Sequence, residues 1–201
     1  MKKFLLLLTL TLLMTGCTVV RIDNNIDNVI KLTIEKKSNN LFNTTVEGYK
    51  YYLPRSVKII DNSNYNQTFY NEGNYMYLYV DIISYYYKVN KEYEINKNSF
   101  YSKAISYKDK KGYVEVNLIN GKYFVEIMYN YAKMESYVTP GKINDAITNM
   151  CYILSTIKFN DSVIKNIIVE NRVNKAPEMI DIFKARREDS NFLDYIEKND
   201  K

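Results

Sequence analysis

The dipeptide Asn120-Gly121 constrains the fold of this chain more than any other feature of its sequence. It separates two segments, 113–119 and 122–131, in which apolar and polar residues alternate, and this pattern predicts a β-hairpin with a two-residue turn. A turn of this length fixes the strand register and places Glu115 opposite Glu126. The apolar side chains then share the other, core-facing side: Val114, Val116, Leu118, Tyr123, Val125 and Ile127. The sequence therefore predicts two carboxylates side by side on one face of an antiparallel sheet.

The predicted pairing of Glu115 with Glu126 requires compensation, because like charges directly opposite each other destabilise a sheet. Three kinds of compensation are open at this point. The first is a lysine, for which Lys103 on the preceding strand is the candidate. The second is a bound cation, and the third is one carboxyl group that keeps its proton.

The segment 74–87 is predicted to be one long strand whose second face carries tyrosines and an aspartate. Tyrosine rings offer a large contact area and a hydroxyl group, and beside carboxylates they suit sugars, amines or peptides. One hypothesis is therefore a ligand face composed of Tyr77, Tyr79, Asp81, Glu115 and Glu126. The alternative is a structural role, because the chain contains 21 tyrosines and a row of them carries little information.

The remaining pattern predicts one α+β domain over residues 26–173, a mostly antiparallel meander with a helix before it and a helix after it. Apolar residues recur at helical spacing over 26–34, and Thr139-Pro140 supplies the cap and first turn of the second helix. A further short helix is expected at 162–169. Strands are expected at 46–53, 57–60, 67–71, 74–87, 100–107, 113–119 and 122–131.

The N-terminus combines a basic start, an apolar run and a cysteine. Lys2-Lys3 precedes the run from Phe4 to Met14, which Thr15-Gly16-Cys17 follows. The run is shorter than the about 20 apolar residues of a membrane-spanning helix, and its length fits an export signal. The order of these features resembles the lipobox signal peptide of bacterial lipoproteins. The alternatives are an ordinary secretory signal with a chance cysteine and an uncleaved anchor helix.

This resemblance implies that residues 1–16 are removed and that Cys17 becomes the first residue, with a diacylglycerol on its sulfur. Two acyl chains give stable membrane attachment where one chain is marginal. Residues 17–25 would form a lipidated tether to the cell membrane. The abundance of Tyr, Asn, Ile and Lys is typical of an AT-rich genome and favours a Gram-positive host. We therefore expect the domain on the extracytoplasmic face of the membrane.

Composition excludes several classes of site. The chain has no histidine, so Ser-His-Asp and Cys-His catalysis and histidine-containing zinc sites are excluded. No cofactor or metal is predicted.

With Cys17 lipidated, Cys151 lacks a disulfide partner, and its apolar helical neighbours indicate a small buried hydrophobe. The net charge falls from +5 to +3 when Lys2 and Lys3 leave with the signal peptide, which is too low to indicate a nucleic-acid partner.

Two further segments are weakly similar to one known family. Gly48-Tyr49-Lys50-Tyr51-Tyr52-Leu53-Pro54 and Ile153-Leu154-Ser155-Thr156-Ile157-Lys158-Phe159 are similar to PsbP-like α/β/α sandwich proteins, over about residues 45–160 and by element order. The resemblance implies a non-catalytic assembly or binding module. The expected position at the membrane favours a protein or cell-wall polymer as its partner. A carboxylate-dependent enzyme acting on cell-wall or extracellular carbohydrate is the alternative function, and a structural envelope protein is the third.

The charged C-terminal tail, 174–201, has no strong pattern of its own. Lys184, Arg186 and Arg187 precede several acidic residues, and a helical turn is expected at 190–197. One interpretation is a docking segment for a membrane-associated partner. The other is a strap on the same domain or a solvated tail.

Overall fold

A seven-stranded antiparallel sheet forms the centre of the computed structural model, which describes residues 22–35, 42–170 and 185. Its elements in chain order are α1 (Ile22–Ile30), a π-helical turn at Lys31–Glu35 that continues α1, β1 (Thr44–Val46), β2 (Tyr49–Tyr51), β3 (Lys58–Ser63), β4 (Asn66–Asn71), β5 (Asn74–Val80), α2 (Ile82–Tyr87), β6 (Tyr101–Tyr107), β7 (Lys110–Ile119), β8 (Lys122–Tyr129), β9 (Ala132–Val138), a 3-10 turn at Pro140–Lys142, α3 (Ile143–Thr156), β10 (Lys158–Phe159) and α4 (Asp161–Val169). The mixture of packed helices and antiparallel strands confirms the predicted α+β class.

The strand order of the large sheet is β3-β4-β5-β9-β8-β7-β6. Asn120 and Gly121 form the predicted two-residue turn between β7 and β8, with φ angles of 50° and 78°. Ile119 pairs with Lys122, and Glu115 therefore lies opposite Glu126, as predicted. A second small sheet has the order β1-β2-β10.

One face of the large sheet is covered by helices. α3 packs on β8 and β9, and α1 packs on α3. The predicted stripe of α3 is buried there: Ile143, Ala146, Ile147, Met150, Cys151, Leu154 and, just after the helix, Ile157. Burial raises the pKa of the Cys151 thiol to about 12, with a small opposing contribution from Thr33. A thiol that stays protonated in the core is inert, which agrees with the predicted structural role.

Several predicted element boundaries were wrong. The predicted strand 46–53 is a hairpin of β1 and β2, because Gly48 adopts a φ of 92° between them. The predicted strand 74–87 ends at Val80, and Ile82–Tyr87 is helical. The chain is already helical at Ile22, inside the expected tether 17–25, because a helix once nucleated extends readily through neighbouring polar residues.

The sequence features outside the described residues keep their status as predictions. The signal peptide at 1–16, Cys17, and the expected helical turn at 190–197 lie there. Within the tail 174–201, only Ala185 is described.

Candidate functional site

Three buried glutamates lie side by side across the sheet. The register pairs Glu115 of β7 with Glu126 of β8, and Glu126 with Glu135 of β9. Tyr77 of β5 lies opposite Glu135 in the same row. The three glutamates are 0, 1 and 0 % exposed, so the row is closed to solvent. Carboxyl groups this deeply buried require hydrogen bonds together with a cation or a retained proton, or hydrogen bonds from several sides.

Glu115 attaches the segment between α2 and β6 to the sheet. Its carboxylate accepts hydrogen bonds from the Tyr93 hydroxyl, from Asn96 Nδ2 at 2.9 Å and from Asn117 Nδ2 at 3.1 Å. The Ser102 hydroxyl lies 2.8 Å from the Tyr93 hydroxyl and accepts the backbone N–H of Asn96 at 2.9 Å. The connecting segment contains no helix or strand, and these bonds fix it against the face of the sheet opposite the helices.

Glu126 and Glu135 share a buried lysine. Lys133 Nζ lies 2.9 Å from Glu135 Oε1 and 3.6 Å from Glu126 Oε2. The Tyr113 hydroxyl donates a hydrogen bond of 2.7 Å to Glu126 Oε1. Burial, together with the neighbouring Glu126 carboxylate, raises the pKa of Tyr113. The phenol therefore stays protonated and remains a donor at neutral pH.

The expected compensating lysine is Lys133 rather than Lys103. Lys103 pairs with Val114 across the strands and lies on the helix-covered side, while its neighbour Ser102 lies opposite Glu115. Because side chains alternate along a strand, a shift of one residue transfers the side chain to the other face. Lys103 Nζ instead lies 2.6 Å from Asp27 Oδ1 of α1.

The paired carboxylates do not form an open catalytic site. Hydrolysis of a glycosidic bond by two carboxylates requires both groups to reach substrate and water. Glu115 and Glu126 are instead enclosed by the side chains that bond them. Their visible role is to orient Tyr93 and Tyr113.

The other residues of the hypothetical ligand face have different surroundings. Tyr77 and Tyr79 are 9 and 7 % exposed and belong to an aromatic cluster on the second face. Asp81 lies beyond the end of β5 and caps α2, accepting hydrogen bonds from the backbone N–H groups of Ile83 at 3.1 Å and Ser84 at 2.8 Å. A short polar side chain that satisfies free N–H groups at a helix start explains why the strand ends here. The predicted face is therefore not an exposed platform.

An open cleft of about 270 Å³ lies beside the glutamate row. It is bounded by the segment after α2, by the β6–β7 hairpin and by the turn between β8 and β9. Its wall and floor are aromatic and apolar: Tyr93, Tyr113, Tyr131, Ala104, Ile105 and Met128. Its polar groups are Asn90, Asn130, Lys91, Lys110, Lys111, Glu92, Asp109 and Ser106.

The stacked rings of Tyr93 and Tyr113 connect the cleft to the glutamate row. Their centroids are 4.2 Å apart and their planes differ by 10°. Each hydroxyl donates to a buried carboxylate, Tyr93 to Glu115 and Tyr113 to Glu126. The hydroxyls are thus engaged inside the protein. At the cleft the Tyr93 ring is partly exposed, while Tyr113 is 1 % exposed and supports it. The buried carboxylates hold one wall of the cleft in place.

The turn between β8 and β9 supplies a strained residue to the cleft. Asn130 and Tyr131 have φ angles of 52° and 63°, and Tyr129 pairs with Ala132 across them. Two-residue turns of this kind favour Asn-Gly, so the tyrosine occupies the position at which glycine is preferred. The Tyr131 hydroxyl donates to Asn90 Oδ1 at 3.3 Å, which joins two sides of the cleft.

Sequence reasoning missed Glu135, Lys133, Tyr93 and the cleft itself. The alternation of Ala132, Met134, Ser136 and Val138 with Lys133, Glu135 and Tyr137 is a strand signal that, with the turn before it, would have placed two of these residues. Tyr93 lies in a segment without periodicity, where no local signal exists.

Comparisons with known proteins identify no relative of this chain. No family model matches the chain, and no curated protein or solved structure is similar to it at a significant level. Within residues 22–35, 42–170 and 185, no helix is long and apolar enough to cross a membrane. In the same part of the chain, no group of three His, Cys, Asp or Glu side chains is arranged to hold a metal ion.

Proposed function

We propose that the protein is a membrane-anchored lipoprotein that acts as a non-catalytic binding or assembly module at the cell surface, with the cleft as its binding site. One observation carries the proposal: the carboxylates that suggested catalysis are enclosed, whereas the cleft beside them is open. Small binding sites combine an apolar and aromatic lining with a few polar groups, as this cleft does. No observation in the described structure favours the alternative, a carbohydrate-cleaving enzyme.

Membrane attachment rests on the residues that lead to Cys17. We expect mass spectrometry of the protein purified from membranes of a Gram-positive host to show a mature N-terminus at Cys17 carrying a diacylglycerol. In a Cys17→Ala variant the lipid should be absent, because the sulfur that carries it is gone. Retention of residues 1–16 on the wild-type protein, or an unmodified Cys17, would contradict the anchor.

The binding role is tested by site-specific crosslinking on intact cells of the source organism. A photoreactive amino acid at Ser106, an exposed cleft residue, is expected to give a discrete covalent adduct with a wall polymer or an envelope protein. The same amino acid at Thr45, exposed on β1 and outside the cleft lining, is the matched control and should give none. Equal adducts at both positions, or none at Ser106, would show that the cleft is not the binding site.

A further inference from the structure

We infer that the cleft binds one pyranose ring of an extracellular glycan, and this inference deepens the proposed binding function. The relevant surfaces are the partly exposed rings of Tyr93, which stacks on buried Tyr113, and of Tyr131 in the turn between β8 and β9. A pyranose ring has an apolar face of C–H groups and a rim of hydroxyls. It therefore matches an aromatic surface surrounded by hydrogen-bonding groups.

The Tyr93 ring is preorganised for an apolar contact, because it stacks on the buried ring of Tyr113. The Tyr93 and Tyr113 hydroxyls donate to Glu115 and Glu126, so neither ring rotates freely. Tyr113 is only 1 % exposed and packs against Tyr93, so the cleft gains ring carbon surface from the partly exposed Tyr93 rather than a phenol donor. A rigid surface needs no further ordering when a ligand binds, which favours affinity.

Tyr131 occupies a position whose left-handed backbone is unfavourable for any residue with a Cβ. A left-handed backbone costs about 1–2 kcal/mol for a residue with a Cβ, and glycine avoids this cost. The ring packs edge-on against Tyr85 at a centroid distance of 5.5 Å, and the hydroxyl donates to Asn90 across the cleft. A strained backbone that presents an aromatic ring to an open cleft points to a use for that ring.

The charges of the cleft favour a sugar over a polyanion or an acidic peptide. Three lysines and two acids line it, in addition to the amides of Asn90 and Asn130. Amides, amines and carboxylates together supply donors and acceptors for hydroxyl groups. A ligand with many charges of one sign would call for a lining of the opposite sign. The volume of about 270 Å³ lies just below the usual range of about 300–1,000 Å³ for small-molecule sites, which suits one ring.

The test is calorimetric titration of the full-length protein in a detergent without a sugar headgroup. The probes are cellotetraose and the β-1,4-linked tetramer of N-acetylglucosamine, with a mixed-sequence tetrapeptide as the comparison ligand. We expect at least one oligosaccharide to bind and the peptide not to bind. Tyr131→Gly should weaken sugar binding at least tenfold without lowering the melting temperature by more than a few degrees, because glycine suits the turn.

Two further variants make the result decisive. Tyr131→Asn controls for the extra backbone freedom that glycine introduces, because asparagine also tolerates the left-handed backbone. This variant should lose sugar binding as well. Tyr152→Ala removes a partly exposed tyrosine of α3 outside the cleft and should bind like the wild type. Undiminished sugar binding by both Tyr131 variants would overturn the assignment to this cleft.

The outcomes separate this inference from the proposed function. If neither oligosaccharide binds the wild-type protein while Ser106 still crosslinks on cells, the sugar is wrong and the binding module stands. Binding of the peptide alone, lost in the Tyr131 variants, would replace the sugar by a peptide ligand. If Ser106 gives no crosslink and no probe binds, both proposals fail.

Discussion

Replacing Lys133 with methionine is expected to lower the free energy of unfolding by about 3–5 kcal/mol, the usual cost of removing one partner from a buried ion pair. Lys133 is 2 % exposed, and its ammonium group lies between Glu126 and Glu135. Methionine keeps much of the buried aliphatic volume, so the loss reports on charge rather than on a cavity. Urea denaturation followed by tyrosine fluorescence gives the change directly.

Two companion variants identify the cause. Lys103→Met removes a lysine from the half-exposed pair with Asp27 and should cost less than about 1 kcal/mol. Adding Glu135→Gln to Lys133→Met should restore part of the lost stability, because one buried negative charge is removed together with its cation. Equal losses for Lys133→Met and Lys103→Met would show that the glutamate row does not depend on this lysine.

The sequence predicted the part of the fold that local turn chemistry controls. Asn120-Gly121 specified a two-residue turn, and counting from it placed Glu115 opposite Glu126. The same logic failed one hairpin later, because Asn130-Tyr131 forms an equivalent turn without the glycine that identifies one. Strand β9 was missed for that reason, and Glu135 and Lys133 were missed with it. A compensating lysine was expected, but it was assigned to Lys103 of β6, whereas Lys133 of β9 provides it.

The site could not be predicted because it depends on contacts between distant segments. Tyr93 and Asn96 reach Glu115, about twenty positions further along the chain, from a segment with no periodic pattern. Their bonds to Glu115 form only when the sheet has assembled, so neither propensity nor alternation reports them. The sequence did reveal that the Glu115–Glu126 pair needs partners. The structure adds that these partners are the residues that build one wall of the cleft.

The glutamate row therefore connects stability to binding. A buried carboxylate that is bonded on several sides fixes the groups around it, and here those groups include both stacked tyrosines. The conflict of like charges that the sequence exposed is relieved by Lys133 and by hydrogen bonds from the Tyr93 and Tyr113 hydroxyls. Both tyrosines lie at the cleft. Disturbing the sheet below them should consequently disturb the proposed site.

Gly112→Ala is expected to lower the free energy of unfolding by about 3 kcal/mol or more, at or beyond the upper end of the usual cost of overpacking. A Cβ atom at this position would lie 2.0 Å from the carbonyl oxygen of Met128 and 2.8 Å from Cα of Tyr129. Both neighbours are backbone atoms, so the clash is relieved only if β7 moves away from β8. Thermal or urea denaturation of the variant measures the loss.

Gly141→Ala is the matched control, because the same Cβ there meets nothing within 4 Å and the backbone is not left-handed. Gly141→Ala should be neutral or should stabilise the fold by about 0.4–1 kcal/mol, because alanine lowers the conformational entropy of the unfolded chain. Gly112 and Met128 both line the cleft, so a Gly112→Ala protein that still folds should also bind its ligand more weakly. Equal stabilities for the two variants would mean that β7 and β8 do not approach each other as closely as this geometry requires.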